Sequence, residues 1–321
     1  MKILVGARLS EQDVAALRSA APNAQICIAA DLQAALIEVA DAQVYVAGRW
    51  SDEILAAGRS LRWVHFTWAG MDDVLSPALV ESEVTVTNSA AVFAVPMAEH
   101  AMALMLAFAR GVHLCSRRKP AQLWHGEGSR RSVASQLGEL NGATLGVVGF
   151  GGVGSAAAQR AKAFGMRVLA VRRHPERPCE HADEALTPDH LSDLLSRSDY
   201  VLISCALTPD TRGLMGELQL GWMKPGAVLI NVARGAVVDE PALVEALRAG
   251  HIRGAALDVT CEEPLPLDSP LWEMENVIVT PHISGTSPKT WNRQMERLLE
   301  NVRRYAAGEP LLSVVDKCAG Y

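Results

Sequence analysis

Residues 145–154 read Leu-Gly-Val-Val-Gly-Phe-Gly-Gly-Val-Gly, and no other stretch constrains the fold of this chain as tightly. Gly149, Gly151 and Gly154 carry the G-x-G-x-x-G spacing. They follow an apolar strand directly, open a small-residue helix, and are succeeded by a second apolar run, Arg167–Val171. Gly149 permits the tight turn, Gly151 lets a pyrophosphate approach the backbone, and Gly154 lets helix and strand pack closely. Phe150, Gly152 and Val153 complete the turn. The helix N-terminus then offers unpaired N–H groups and a positive dipole end to phosphates. A bare G-x-G-x-x-G also occurs as a turn with only a packing role. Framed by strand, helix and second strand, it points to a bound dinucleotide.

The end of the second strand discriminates between dinucleotides. A site for NAD places Asp or Glu there, to hold the ribose 2′-hydroxyl. Here the position 18 residues after Gly154 is Arg172, followed by Arg173. A carboxylate repels a 2′-phosphate, whereas a guanidinium forks onto it. A charge-assisted hydrogen bond contributes roughly 1.5–3 kcal/mol. The two arginines therefore predict NADP(H) in preference to NAD(H), with NAD(H) still possible; a solvated basic turn is the plainer alternative.

A chain of 321 residues is long for one domain and suits two. Its apolar share of 49% is enough for sizeable cores. A net charge of −6 argues against nucleic acid as a partner, and basic residues gather only in short clusters such as Arg130-Arg131 and Arg172-Arg173. The six cysteines are scattered without a C-x-x-C pair. That predicts reduced thiols, with no disulfide framework and no zinc site. The opening Met-Lys-Ile-Leu-Val-Gly reads as a strand rather than a signal peptide. The longest apolar run, Ala101–Ala109, is too short to span a bilayer. The expectation is a cytoplasmic protein with no membrane partner.

The first 90 residues alternate strands (Lys2–Val5, Gln25–Ile28, Val44–Val46, Trp63–Phe66, Val84–Thr87) with helices (Glu11–Ala20, Leu32–Val39, Asp52–Ala57). Such alternation predicts a parallel sheet covered on both faces. Pro96 opens a helix to about Arg110, apolar nearly all round and hence expected to be buried, either between domains or in a subunit interface. A polar loop is expected from about Lys119 to Leu140. Six strands follow, near Leu145–Gly149, Arg167–Val171, Tyr200–Ser204, Ala227–Asn231, Gly254–Asp258 and Val277–Thr280, with helices between them. A last helix runs from about Ser287 to Gly308, and the tail is expected to return to the first domain. The prediction is an α/β protein of two Rossmann-like, doubly wound parallel-sheet domains with an interdomain cleft. Residues 1–95 with 287–321 form a flavodoxin-like substrate domain, and residues 96–286 the dinucleotide domain.

Open parallel sheets bind ligands at the carboxyl ends of their strands. Three polar residues stand there: Arg234 in Asn231-Val-Ala-Arg-Gly235, Glu263 in Asp258-Val-Thr-Cys-Glu-Glu-Pro264, and His282 in Thr280-Pro-His-Ile-Ser-Gly285. Singly, each has a plain reading as turn, loop or structural histidine. Together they suit hydride transfer to a 2-keto acid. A guanidinium holds the carboxylate and polarises the carbonyl, and a histidine delivers the proton to the nascent alkoxide. A neighbouring carboxylate orients such an imidazole and favours its charged form.

The stretches Met223–Gly235, Gly254-Ala-Ala-Leu-Asp-Val259, Glu262-Glu-Pro264 and Pro281-His-Ile-Ser-Gly285 closely resemble the D-isomer-specific 2-hydroxyacid dehydrogenases. The resemblance implies that Arg234 binds substrate, Glu263 orients the histidine, His282 is the acid/base and Asp258 contacts the nicotinamide carboxamide. It places Val232, Ala233 and Ser284 along the cofactor. Ala206-Leu-Thr-Pro-Asp-Thr211 resembles the family's cofactor loop, which brings in Ala206, Leu207 and Thr211. Trp68-Ala-Gly-Met-Asp72 resembles the loop that holds the substrate carboxylate through the Ala69 and Gly70 amides. Trp50, after a strand end, reads equally as a pocket wall and as ordinary packing. Arg172 departs from the acid of NAD-using members and is similar to the NADPH-dependent glyoxylate and hydroxypyruvate reductases. Thr260 and Cys261 stand where many members carry Phe and Glu.

The resemblance implies a small 2-keto acid as substrate and a homodimer. Formate dehydrogenases share the fold but carry an amide where Glu263 stands, and phosphoglycerate dehydrogenases often add a regulatory domain. A dinucleotide-sensing corepressor of the same fold is the alternative from another class, against which the lack of long tails speaks.

Overall fold

Every strand pair within the two sheets is parallel, so each sheet collects the carboxyl ends of its strands along one edge. The computed structural model describes residues 1–117, 124, 127–176 and 178–321, with the backbone alone for 127–130. The chain divides into two compact units, Met1–Phe93 with Ser287–Tyr321, and Ala94–Thr286.

In the first unit, β1 (Lys2–Val5), β2 (Gln25–Ile28), β3 (Val44–Ala47), β4 (Trp63–Phe66) and β5 (Thr85–Thr87) lie in the order β2-β1-β3-β4-β5. This is the flavodoxin-like order. β1, β3 and β4 are buried along their whole length, the mark of a parallel sheet covered on both faces. The helices are α1 (Glu11–Ala20), α2 (Leu32–Glu38), α3 (Asp52–Ala57) and a short α4 (Pro77–Glu81), which the sequence pattern did not predict because one turn is too brief to show a period. Ser10 opens α1 with a capping box: its hydroxyl accepts from Asp13 N, and the Asp13 carboxylate accepts from Ser10 N.

The second unit begins with α5 (Ala94–Ala109), α6 (Val112–Arg117) and α7 (Glu127–Ala134). The polar loop expected from Lys119 thus contains a helix, α7. Its start at Lys119 lies outside the described residues, as does the side chain of Arg130 in the basic pair Arg130-Arg131. Low apolar content hid a helix whose described end buries only Val133. Seven strands follow: β6 (Thr144–Val148), β7 (Arg167–Val171), β8 (Glu184–Leu186), β9 (Tyr200–Ile203), β10 (Val228–Asn231), β11 (Gly254–Leu257) and β12 (Val277–Val279). Their order is β12-β11-β10-β9-β6-β7-β8, a doubly wound sheet whose direction of progression reverses between β6 and β9. The sequence pattern predicted six. The missed strand, β8, is a three-residue edge element paired only with β7, and Glu-Ala-Leu carries no alternation to betray it. α8 (Gly152–Ala163), α9 (Leu191–Arg197), α10 (Glu217–Trp222) and α11 (Glu240–Arg248) accompany the sheet.

α5 starts two residues before Pro96, and its burial is one-sided. Ala98, Ala101, Met102, Met105 and Phe108 join a core with Ala157, Ala158 and Ala161 of α8. Small residues on both helices let their backbones come close. Val95, Glu99 and Ala103 stay exposed, so the helix is not buried all round. The helical run Ala90–Ala109 is longer than the Ala101–Ala109 stretch suggested. By length and composition it could cross a membrane, although nearly half of it is buried inside the fold.

α12 (Thr290–Ala307) returns to the first unit. Met295, Leu298 and Val302 pack with Ile3, Val5, Val44, Val46 and Trp63, and Trp291 Nε1 donates to Asp13 at 3.1 Å. Gly308, in the left-handed region at φ 72°, ends the helix. Beyond it Val314 bridges to Thr87, and Lys317 Nζ donates to the carbonyls of Leu79, Ser82 and Val84.

His65 lies fully buried in β4. Its Nδ1 shares a 2.8 Å hydrogen bond with the Thr87 hydroxyl, which also accepts from Trp63 Nε1, while its buried Nε2 has no partner among the described residues. Burial, reinforced by nearby Arg297, pushes its pKa down from 6.5 to about 4. The unfolded chain therefore takes up this proton first. The contribution of the neutral ring is complete above about pH 6.5 and is lost as pH falls through about 4. Each pH unit in that window removes up to about 1.4 kcal/mol. Urea midpoints measured between pH 7 and pH 4 are expected to fall more steeply for the wild type than for His65→Gln. Parallel curves would refute the assignment.

Candidate active site

The glycine turn sits where the strand order reverses. Gly149, at φ 92°, has no room for a side chain: a Cβ there would lie 2.5 Å from the Cys205 backbone after β9. Burial pushes the Cys205 thiol up to about 11, so it stays neutral against the turn. A Cβ on Gly154 would lie 2.7 Å from Gly149 O and 2.9 Å from Val147 Cγ1, which is the close helix–strand packing its position demands. Gly151 is different, because a Cβ there would meet nothing within 4 Å. It also caps α8 without a side-chain acceptor, so no cap side chain satisfies the first-turn N–H groups. The turn thus fits a pyrophosphate. Phe150 and Val232 are buried in the core, which leaves only their backbones for a ligand.

Arg172 and Arg173 follow β7. Arg172 Nη1 donates to Pro178 O at 3.3 Å and lies 3.2 Å from Cys179 Sγ. Arg173 pairs with the exposed Asp210 at 3.4 Å. Asp210 belongs to the loop after β9, whose shape is set by Thr211: its hydroxyl donates to Ala206 O at 2.7 Å and accepts from Thr208 N at 2.8 Å. Leu207 packs partly against the core, and Ala206 is exposed.

After β10, the buried Asn231 side chain folds the next loop back on itself. Its Nδ2 donates to Arg234 O at 2.9 Å, and its Oδ1 accepts from Ala233 N at 3.0 Å. Arg234 is half-buried and donates to Ala233 O at 2.9 Å. Gly235 abuts the loop after β11 so tightly that a Cβ would lie 2.0 Å from Thr260 C and O. That loop carries Glu263, whose Oε1 accepts from Thr260 N at 3.2 Å and whose Oε2 lies 2.7 Å from His282 Nδ1. Cys261 N donates to Glu240 Oε2 on α11 at 3.1 Å. The Glu263–Pro264 peptide is cis.

His282 adopts φ 51°, a left-handed conformation that L-residues with side chains adopt at a cost of about 1–3 kcal/mol. Asp258, directly after β11, offsets this. Its buried carboxylate accepts from Thr280 Oγ1 at 2.6 Å, Ile283 N at 3.0 Å and Ser284 N at 2.9 Å, and its carbonyl accepts from His282 N at 2.8 Å. Burial alone would raise its pKa; the bonds from Ser284, Thr280 and the Ile283 amide outweigh that and hold it below the usual carboxylate range.

In the first unit, the loop after β4 is held by its own carbonyls: Gln294 donates to Thr67 O, Ser89 N to Trp68 O at 3.0 Å and Asn88 Nδ2 to Ala69 O at 2.8 Å. Ala69 and Gly70 are half-buried. Trp50, Phe66 and Trp68 form a chain of edge-to-face rings, at 5.5 and 4.9 Å between centroids. Trp50 is therefore packed, but its buried Nε1 has no partner among the described residues. The residues that sequence reasoning missed are supports: Asn231, Thr280, His100, Asn88 and Gln294. Asn231 and Thr280 stand inside the quoted motifs, and their position there was the signal that could have found them. The others lie far away in sequence.

The family model described as "D-isomer specific 2-hydroxyacid dehydrogenase, NAD binding domain" matches residues 102–284. The chain belongs to this family. Glyoxylate reductase of Korarchaeum cryptofilum is 38% identical over 267 residues, covering 80% of this chain and 76% of that protein. D-3-phosphoglycerate dehydrogenase of Mycobacterium leprae is 38% identical over 259 residues, covering 80% of this chain but 47% of that protein. The alignment thus spans about half the length of such a relative. Among solved structures, the D-isomer specific 2-hydroxyacid dehydrogenase of Xanthobacter autotrophicus Py2, in complex with NADPH and MES, superposes with a TM-score of 0.83 at 33% identity, covering 100% of this chain and 99% of that one.

Gly235 is a direct test of how this family member joins two of its loops. Gly235→Ala is expected to lose about 1–3 kcal/mol through overpacking. Gly221→Ala, where a Cβ in α10 meets nothing, should hold or gain stability. Denaturant melts of the two variants decide it, and equal stability would refute the close contact.

Proposed function

We propose that this chain catalyses NADPH-dependent reduction of a small 2-keto acid, such as glyoxylate, hydroxypyruvate or a related compound, to the D-2-hydroxy acid. One observation carries the reading: His282 Nδ1 stands 2.7 Å from Glu263 Oε2, at the same sheet edge as the open Gly151 turn. Bound nicotinamide dinucleotide supplies the hydride. With Nδ1–H donated to Glu263, the ring's Nε2 is the atom that gives its proton to the nascent alkoxide, or takes it back in the reverse direction. Arg234 holds the carboxylate and polarises the carbonyl. Asp258 and Ser284 are proposed beside the nicotinamide, and Val232, Ala233, Ala206, Leu207 and Thr211 along the cofactor. Within the first unit, the Ala69 and Gly70 amides with Trp68 and Trp50 are proposed as the substrate loop. The subunit arrangement proposed is a homodimer, on the family resemblance.

NADPH oxidation, followed across glyoxylate, hydroxypyruvate, pyruvate, phenylpyruvate and 2-ketoisocaproate and repeated with NADH, tests the reading; absence of turnover with every acid would remove it. His282→Ala is expected to lower kcat at least about 10²-fold with dinucleotide affinity preserved. Near-wild-type turnover would take His282 out of the mechanism.

Cofactor preference rests on Arg172 and Arg173 at the end of β7 and is supported by the NADPH found in the Xanthobacter relative. Arg172→Asp is expected to lower kcat/KM for NADPH relative to NADH by roughly tenfold to several hundredfold, the worth of one or two charge-assisted bonds. A wild-type preference for NADH would overturn it. A phosphoglycerate-type activity is the second reading, favoured by the identity to the Mycobacterium enzyme. Adding 3-phosphohydroxypyruvate to the panel separates the two.

A further inference from the structure

His100 belongs to none of the motifs above. It projects from α5, partly buried with 19% of its side chain exposed, and its Nε2 lies 3.0 Å from Thr280 Oγ1 and 3.6 Å from Asp258 Oδ1. The hydrogen-bond directions along this line are determined by chemistry. The Asp258 carboxylate, held ionised, can only accept, so the Thr280 hydroxyl must donate to it across their 2.6 Å contact. That uses the one Thr280 proton. The 3.0 Å contact can then be made only by a proton on His100 Nε2.

The result is a directed chain, His100 Nε2–H to Thr280 Oγ1–H to Asp258, whose carboxylate also accepts from the amides of Ile283 and Ser284. It grips the loop on both sides of His282, the residue held at φ 51°. Chained hydrogen bonds polarise and strengthen one another. We propose that His100 is a positioning residue for His282. It acts through Thr280 and Asp258 to hold the strained loop in the conformation that presents the imidazole to Glu263. Glu263 aligns the ring, and the His100 chain aligns the backbone that carries it.

In its activity arm this proposal rests on the reductase reading; in its exchange arm it does not. The experiment compares wild type, His100→Leu and His100→Gln, the last retaining an N–H donor of similar reach. Amide hydrogen exchange at Ile283 and Ser284 is measured by NMR, with Val201–Ile203 of β9 as the internal control for global stability, alongside kcat and the KM for NADPH. A neutral hydrogen bond is worth up to roughly tenfold in an equilibrium. His100→Leu is therefore expected to speed exchange at Ile283 and Ser284 by about that factor, leave β9 unchanged and lower kcat comparably with KM constant; His100→Gln should restore most of both. Unchanged exchange in His100→Leu overturns the proposal. So does faster exchange with an unchanged kcat. If the wild type reduces no keto acid, the reductase reading fails, and the exchange rates alone decide whether His100 holds the loop.

Discussion

Parallel hydrogen-bonded pairing gives this chain its geography. Strands that all run one way leave all their carboxyl ends at one edge, and the residues that follow them must share that edge. Gly149 follows β6, Arg172 follows β7, Cys205 follows β9, Arg234 comes after β10, Asp258 directly follows β11, and His282 comes after β12. These positions span more than a hundred residues of sequence, yet no long-range motif is needed to bring them to one rim. The near-continuous burial of β6, β7, β9, β10 and β11 is what makes the pairing obligatory, since either face left bare would expose a run of aliphatic side chains.

Along that rim two carboxylates do opposite work. Asp258 is almost wholly buried and spends its oxygens on the chain itself, so its desolvation is offset by donors fixed at short range. Glu263 is partly exposed, with 40% of its side chain accessible, and its partner is a side chain. An exposed pair of this kind adds little to stability. Its value lies in orientation. The division is physical: the buried acid resists exchange with water and suits a permanent clamp, while the accessible one sits beside the ring that gains and loses a proton in the proposed reaction.

Much of this was legible in the sequence, for reasons that differ by element. Glu11–Ala20, Gln25–Ile28 and Trp63–Phe66 have in the structure the bounds that the strand–helix alternation of the sequence predicts. β8 and α4 were not predicted, because a three-residue edge strand and a single turn carry no period. Residue type and strand-end position single out Glu263 and His282, the family resemblance makes them partners, and the two side chains stand 2.7 Å apart. The supports escaped. His100 looks like a polar flank on an apolar helix until β11 and β12 bring Asp258 and Thr280 beneath it. Gly235 looks like any Arg-Gly turn until the Thr260 backbone is found where its Cβ would be. Contacts between distant segments leave no local trace of themselves.

The return of α12 to the first unit has a consequence for how such a chain comes to be folded. The core that Ile3, Val5, Val44 and Trp63 share with Met295, Leu298 and Val302 cannot close until the entire second unit has been synthesised. During translation the second unit is contiguous and can collapse as soon as it emerges, while the earlier sheet waits with one face bare. If the intervening segment were still a random coil, joining those distant pieces would carry a closure entropy on the order of 5 kcal/mol, growing only logarithmically with length. A folded insert replaces that coil with a rigid spacer of definite span. Assembly order is thus written into connectivity: the unit made in the middle is the one free to finish first, and the unit made at the start finishes last.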